Sequence, residues 1–414
     1  MDKIRIGVFG AGRGMDIAQN FMLLNAEIVA LCDNHKERRE AAMKKLDKSV
    51  KAYENFDDFI NHPMDAMIVA NNFYQHSPFV IKCFEKNIHV FCECITNGTM
   101  GEGVALARAF KNSKSIFMLA ENYPQMLPNL EMKRVMDSGS LGKFLYAEGE
   151  YNHPTSPWDT AFTKRYRFYP EHWRHFCPST YYITHSLGPV MRISGATPKK
   201  VTAFEIFDPP EDNVPSAAYS VDAAANITTF NDDGSVFRIT ACSRFGGHHN
   251  AYRICGSKGQ IENLRGMGQQ IMLRYNEWDK PEGQDATQLY TPSWNDKDEE
   301  LIKKSGHGGS DFVTARMFLN CLKENKQAPH PFDFYSALAM SSVAILAHRS
   351  ALEGGKPYDI PDFTKEEDQK LYENDFLTPF YGDDGSKPTL PCCSHPDYKP
   401  SERQMQLYLE ELKK

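Results

Sequence analysis

The sequence predicts an α/β protein of two domains: an N-terminal, doubly wound parallel sheet, then an α+β domain on a large, mostly antiparallel sheet. Three observations predict this. The chain has 414 residues, more than one hydrophobic core comfortably serves. An apolar run at 4–9 ends in Gly10-Ala11-Gly12-Arg13-Gly14-Met15 and opens into a helical pattern, the setting in which such glycines bind phosphate. Strand-like and helix-like segments then alternate to residue 120, after which short strands follow one another.

In the first domain, 1–125, the glycine turn lets backbone N–H groups and a helix N-terminus face a pyrophosphate, a Rossmann arrangement. Gly10, Gly12, Arg13, Gly14 and Met15 are therefore candidate cofactor contacts. The fingerprint's third glycine falls at Met15, and Gly14 can take its place. A second strand at 27–32 ends at Asp33, whose carboxylate can accept from ribose hydroxyls and repel a 2′-phosphate. That favours NAD over NADP, although Lys36 and Arg38 close behind act the other way; Arg38 joins the candidates. Strands are expected at 66–70, 88–92 and 115–120, with helices at 77–86 and 100–110. A parallel sheet holds its ligand beyond the carboxyl ends of its strands. Asn71, Asn72, His76, Glu93, Cys94, Glu121 and Asn122 stand there. Taken singly, each also reads as a turn residue, a helix cap or a packed side chain.

The second domain, 126–363, opens with a helix at 131–136 and a strand at 143–151. A loop rich in proline, aromatics and charge follows over 153–178, a length at which loops tend to bind or cover ligands. Within it His172-x-x-His175-x-Cys177 has a spacing a metal could use, but no further clustered ligands accompany it, so no metal is expected. Tyr182 and His185 come next, one helical turn apart if a helix runs there. Both groups can move protons: imidazole near neutral pH, phenol when neighbours lower its pKa. Strands are expected at 201–206, 223–230, 236–242, 252–255 and 269–275, with a hairpin turn at Asn231-Asp232-Asp233-Gly234-Ser235. Helices return at 311–323 and 335–352. Residues 364–414 form a charged tail, rich in proline and glycine, that ends in a helix from 401 and packs back or onto a partner subunit.

A net charge of −7 gives no basic footprint for nucleic acid. No apolar run reaches the roughly 20 residues a membrane span needs. The chain passes straight from Met1-Asp2-Lys3 into a strand, so a cytoplasmic location is expected. Ten scattered cysteines read as reduced thiols, and Asn97-Gly98-Thr99 means little as a sequon without export. A dinucleotide domain joined to a sheet domain suggests hydride transfer. Trp158, Trp173 and Tyr182 with many polar groups suit a carbohydrate, and Tyr182, Tyr151 and His185 are of a type to take its hydroxyl proton.

Up to about residue 363 the chain resembles the glucose–fructose oxidoreductase/inositol dehydrogenase (Gfo/Idh/MocA) family. The similar pieces are the Gly10 turn, Asp33, the 71–76 segment, the Cys92-Glu93 strand end and Ile360-Pro361-Asp362-Phe363. Ordinary dehydrogenases of that family carry Glu-Lys-Pro where this chain has Glu93-Cys94-Ile95, and Asp-x-Gly-x-His where it has Tyr181-Tyr182-Ile183-Thr184-His185. The histidine is kept; the lysine and aspartate are absent. Four further segments are similar to the family's NAD-dependent glycoside hydrolase branch, which cleaves α-N-acetylgalactosaminides. They are Glu121-Asn122-Tyr123, with its tyrosine displaced; Ala147-Glu148-Gly149-Glu150-Tyr151-Asn152-His153; 182–190; and His307-Gly308-Gly309-Ser310-Asp311.

This resemblance implies bound NAD, a small carbohydrate substrate and cleavage by transient oxidation at sugar carbon 3, elimination, water addition and re-reduction. It implies that Tyr182 and His185 handle the carbon 3 hydroxyl and carbon 2 protons. Tyr151 would assist the leaving group or water, and Glu121 would bind sugar hydroxyls. A homo-oligomer, dimer or tetramer, is expected. A plain sugar dehydrogenase and a non-catalytic NAD or sugar sensor remain the rival readings.

Overall fold

The computed structural model describes residues 3–154, 173–209, 211–215, 222–382 and 384–413. Trp158 and His172 lie outside the described residues, as does the side chain of His175.

The first domain runs β1 (Arg5–Phe9), α1 (Arg13–Leu23), β2 (Glu27–Cys32), α2 (Lys36–Met43), β3 (Lys51–Tyr53), α3 (Phe56–Phe59), β4 (Ala66–Val69), α4 (Ser77–Glu85), β5 (His89–Cys92), α5 (Met100–Lys111) and β6 (Phe117–Leu119). The sheet order is β3-β2-β1-β4-β5-β6, and every pairing is parallel. All four residues of β4 are buried, as a strand covered by helices on both faces requires. The chain moves outward one way from β1 and the other way from β4, so the ligand-binding crevice opens between those two strands. Strand β3 has no counterpart in the sequence reading. It is three residues long at the sheet edge, with Lys51 and Ala52 exposed, so it leaves no apolar alternation to find. Asn97 is fully buried and donates to the Thr99 carbonyl, while Thr99 caps α5; the sequon is structural.

The second domain begins with α6 (Leu127–Asp137), β7 (Phe144–Asn152) and α7 (Thr184–Ser194). Strands β8 (Pro198–Ile206), β9 (Ala224–Asn231), β10 (Val236–Ser243), β11 (His249–Gly256), β12 (Gly259–Asn263), β13 (Ile271–Tyr275) and β14 (Thr287–Tyr290) follow. After α8 (Glu299–Lys304), α9 (Ser310–Glu324) and α10 (Phe334–Leu352) comes β15 (Tyr358–Asp359), which closes the sheet order β14-β13-β12-β11-β7-β10-β9-β8-β15. In this sheet, among the described residues, β7 and β10 pair in parallel and the other pairings are antiparallel. Helix α10 is buried at every position from 336 to 350, because it is sandwiched between the two domains. One apolar core runs through it, from Met67 and Phe117 on one side to Ile227 and Ile239 on the other. The tail packs back on its own chain: Asp375 accepts two hydrogen bonds from Arg349, and its carbonyl accepts from Gly101 N–H at 2.7 Å.

No helix among the described residues is long and apolar enough to cross a membrane. All ten cysteines are free thiols.

Candidate active site

The glycine turn is built as a phosphate cradle. Gly10 has φ +98°, and a Cβ there would stand 2.2 Å from the Ala70 carbonyl oxygen, so only glycine lets β1 leave the sheet this close to β4. Gly12 caps α1, and a Cβ added to it meets nothing within 4 Å; the space over the helix N-terminus is open to a phosphate. A Cβ on Gly14 would lie 3.0 Å from Val8 Cγ1, so Gly14 is the glycine that lets helix and strand pack. Met15 is buried in the core below.

Asp33 stands at the end of β2. One carboxylate oxygen accepts Ala11 N–H at 2.8 Å and the other accepts His35 N–H at 2.8 Å. Each oxygen keeps a further lone pair for a hydroxyl. Arg38 is exposed on α2, and its neighbour Arg39 is the one that turns inward, donating to the Asp33 carbonyl at 2.6 Å. Past β4, Asn71 and Asn72 both hydrogen-bond Gln75, and the Asn71 Oδ1 is buried with no partner among the described residues. His76 is buried, its Nδ1 2.6 Å from the Ile95 carbonyl, and burial keeps its imidazole below the usual range. A glycine cradle with open space above it, a ribose acceptor at Asp33 and an orphaned amide oxygen at Asn71 together fit a dinucleotide.

Past β5 and β6 the network crosses to the second domain. Arg13 donates to Glu93 at 2.9 Å and, from both terminal nitrogens, to Asp311. Asp311, the first-turn acid of α9, also accepts Asn122 Nδ2 at 2.7 Å and His307 Nδ1 at 2.9 Å. Burial works against the Asp311 carboxylate, yet His307 and Arg13 hold it far below the usual carboxylate range. The turn that delivers these groups needs its glycines: Gly309 has φ +97°, and a Cβ there would sit 2.3 Å from Ile302.

Glu121, 1 % exposed, is the centre of the chemical half. Its Oε1 accepts His185 Nδ1–H at 2.8 Å and Tyr123 N–H at 3.0 Å; its Oε2 accepts the Cys94 thiol at 3.3 Å. Burial works to raise this carboxyl, but His185 and Thr184 outweigh it and the group stays below its usual range. Burial also lifts the Cys94 thiol well above its usual range, so Cys94 is a neutral donor, not a base. With Nδ1 committed to Glu121, the lone pair of His185 lies on Nε2. Three phenols enclose the imidazole. Tyr123 stacks on it at 4.1 Å, and the rings of Tyr151 and Tyr182 meet it edge-on at 5.1 and 5.3 Å. His153 lies against Tyr151 and pairs with His248, Nδ1 to Nδ1, at 2.9 Å.

Two expectations are corrected here. Tyr182 and His185 do not share a helix: Tyr182 ends a short 3₁₀ turn (Ser179–Tyr182), and α7 starts at Thr184. The phenols are not lowered towards ionisation. Burial pushes Tyr123 up to about 12 and takes Tyr151 and Tyr182 still higher. They hold their protons at neutral pH and serve as hydrogen-bond donors.

The first turn of α7 is held from the sheet. Pro189 has no N–H, so the His185 carbonyl lacks its helical partner, and Tyr252 Oη–H on β11 donates to it at 2.6 Å. On β7, a Cβ at Gly149 would lie 2.1 Å from the Ser186 carbonyl oxygen, so this glycine lets the helix rest on the strand. Tyr123, Tyr252, His307 and Asp311 were absent from the candidates read in the sequence. Three of the four sit in or beside the segments quoted above, and the proline inside α7 is the signal that could have called for a donor.

Residues 4–121 match the model of an oxidoreductase family with an NAD-binding Rossmann fold. Residues 129–262 match the GFO/IDH/MocA C-terminal domain, and 243–370 match the C-terminal domain of glycosyl hydrolase 109. Among similar curated proteins, glycosyl hydrolase family 109 protein 2 of Shewanella sp. (strain ANA-3) is 24% identical, the match covering 88% of this chain and 86% of that one. A family 109 protein of Shewanella pealeana is 23% identical over the same shares. Among solved structures, levoglucosan dehydrogenase with NADH and levoglucosan superposes with a TM-score of 0.71 at 17% identity, covering 87% of this chain and all of that one. Aldose-aldose oxidoreductase from Caulobacter crescentus, complexed with glycerol, gives 0.67 at 17% identity, covering 86% of this chain and all of that one. At that identity the superpositions establish the fold.

Proposed function

The chain belongs to the Gfo/Idh/MocA oxidoreductases, with an NAD-binding Rossmann domain and family 109 glycosyl hydrolase relatives, and on that premise we propose that it cleaves a glycoside by a redox route. The observation that carries this reading is the His185 imidazole, oriented by buried Glu121 and ringed by three protonated phenols beyond the carboxyl ends of β5 and β6.

Gly10, Gly12 and Gly14 would cradle the pyrophosphate of NAD, Asp33 would hold the ribose hydroxyls, and Asn71 and Asn72 would line the path to the nicotinamide. Bound there, NAD would supply a hydride acceptor and donor for a transient oxidation at sugar carbon 3, with no net consumption of the cofactor. His185 Nε2 is the base for the carbon 3 hydroxyl proton. The carbon 3 ketone acidifies the carbon 2 hydrogen; His185 Nε2, having released its first proton to solvent, takes this one as well, while the Tyr182 hydroxyl donates to the carbon 3 oxygen as it gains charge. Tyr151 gives its proton to the departing oxygen and takes one back from the incoming water. Each Glu121 oxygen takes two bonds from the protein, Oε1 from His185 and Tyr123 N–H and Oε2 from His185 and the Cys94 thiol, so Glu121 orients His185 and balances the imidazolium instead of binding sugar hydroxyls. The route needs no pair of acids flanking the glycosidic bond, consistent with its place among the exceptions to the two-carboxylate scheme.

Aryl glycosides incubated in deuterated water test this reading. Cleavage without net NADH, with deuterium at carbon 2 of the product sugar, is the expected result. NADH that accumulates without cleavage would replace it with a plain dehydrogenase.

A further inference from the structure

The C-terminal tail beyond residue 370 lies outside all three matched family models, yet it packs against both halves of the site. Its Phe380 is 1 % exposed. The ring stacks on Tyr74 at 4.4 Å and 12°, and meets Phe73 at 6.0 Å. Those two residues directly follow Asn71 and Asn72 at the end of β4. On its other side the ring meets Tyr181 edge-on at 5.3 Å, one residue from Tyr182. The adjoining backbone is fixed as well: Tyr74 Oη–H donates to the Tyr381 carbonyl at 3.0 Å. Further along, Ser394 donates to both carboxylate oxygens of Asp222, at 2.6 and 2.7 Å, beside β9, and His348 in α10 bonds the Pro391 carbonyl at 2.8 Å.

We propose that Phe380 is a positioning residue: it fixes the spacing between the cofactor-side loop at 71–76 and the 3₁₀ turn that presents Tyr182. The part played by Tyr182 rests on the function proposed above; the placement of the cofactor loop does not. An aromatic plug between two elements of different domains transmits the position of one to the other, because packed interiors do not deform continuously. Removing the ring lets the two elements slide, and a displacement of about 1 Å at reacting groups costs on the order of 100-fold in rate.

The test compares the native full-length chain with Phe380→Ala and Phe380→Tyr, all assayed well below each variant's unfolding temperature. NAD affinity is read by titration and turnover by sugar oxidation or cleavage. Phe380→Ala is expected to lower kcat by about 10- to 100-fold and to weaken NAD binding several-fold, and Phe380→Tyr, which keeps the ring, to restore both. Folded Phe380→Ala with NAD affinity and kcat within twofold of native overturns the proposal, since a merely structural ring would lower only the unfolding temperature. If Phe380→Ala does not fold, Tyr74→Phe decides: about threefold weaker NAD binding supports the placement, and unchanged binding refutes it. If the native protein turns over no sugar, the proposed function fails, while the NAD titrations still judge this inference.

Discussion

Replacing Gly149 by alanine is the sharpest probe of how the site is held. The added Cβ would lie 2.1 Å from the Ser186 carbonyl oxygen and 3.2 Å from Ile239 Cδ1. Ser186 is backbone in the first turn of α7, so no side chain can swing away. To reach an ordinary contact the turn must retreat by about 1 Å. His185 immediately precedes Ser186, and its 2.8 Å bond to Glu121 would stretch beyond hydrogen-bonding range. The same retreat pulls the His185 carbonyl from Tyr252, at 2.6 Å. Overpacking of this kind costs about 1–3 kcal/mol, and the displaced base about 100-fold in rate. The assay is kcat beside urea unfolding, with Gly247→Ala as the stability control, because a Cβ there meets nothing within 4 Å. A folded Gly149→Ala protein with kcat within threefold of native would refute the idea that β7 sets the height of His185.

Glu121→Gln keeps the shape but removes the charge that supports an imidazolium at His185; kcat is expected to fall by about 10²–10⁴-fold with the fold intact by circular dichroism. Asp33→Asn loses a charge-assisted acceptor, so NAD affinity should drop by about 10- to 100-fold and the preference over NADP should shrink, read by titrating both nucleotides. The Asp311 carboxyl is depressed in the fold, so its stabilisation is complete above the ordinary aspartate value of 3.8 and drains away as pH falls below it. Urea midpoints measured from neutral to acid pH should therefore fall more steeply for the native protein than for Asp311→Asn, and parallel slopes would discount the Arg13–Asp311–His307 network.

The parts of the fold legible in the sequence were those with a local physical signature. The run into Gly10-Ala11-Gly12, the strand ending at Asp33 and the alternation to residue 120 each follow from short-range pattern, and the sheet order agrees with them. Gly14 could replace the glycine missing at Met15 because what the fingerprint needs there is clearance from Val8, and α1 presents Gly14 to that strand. What stayed hidden depends on partners distant in sequence. Tyr123 reads as a misplaced motif residue until α7 brings His185 onto its ring. The phenols look like titrating groups until burial is known, and burial is a property of the whole assembly. Asp311 gathers Arg13, Asn122 and His307 from three segments, and no spacing announces that. The tail reads as a charged segment that packs back or onto a partner, and the sequence does not say where, because its contacts come from scattered residues such as Asp375, Phe380 and Ser394.

Pro189 and Tyr252 lie far apart in the chain, yet one oxygen atom makes them a single heritable unit. A lineage that lost the hydroxyl while keeping the imino acid would strand a buried acceptor beside the base. One that regained an amide at 189 could dispense with the phenol altogether. The two positions should therefore drift together across homologues, and the Tyr252→Phe defect should shrink when Pro189→Ala is made in the same molecule.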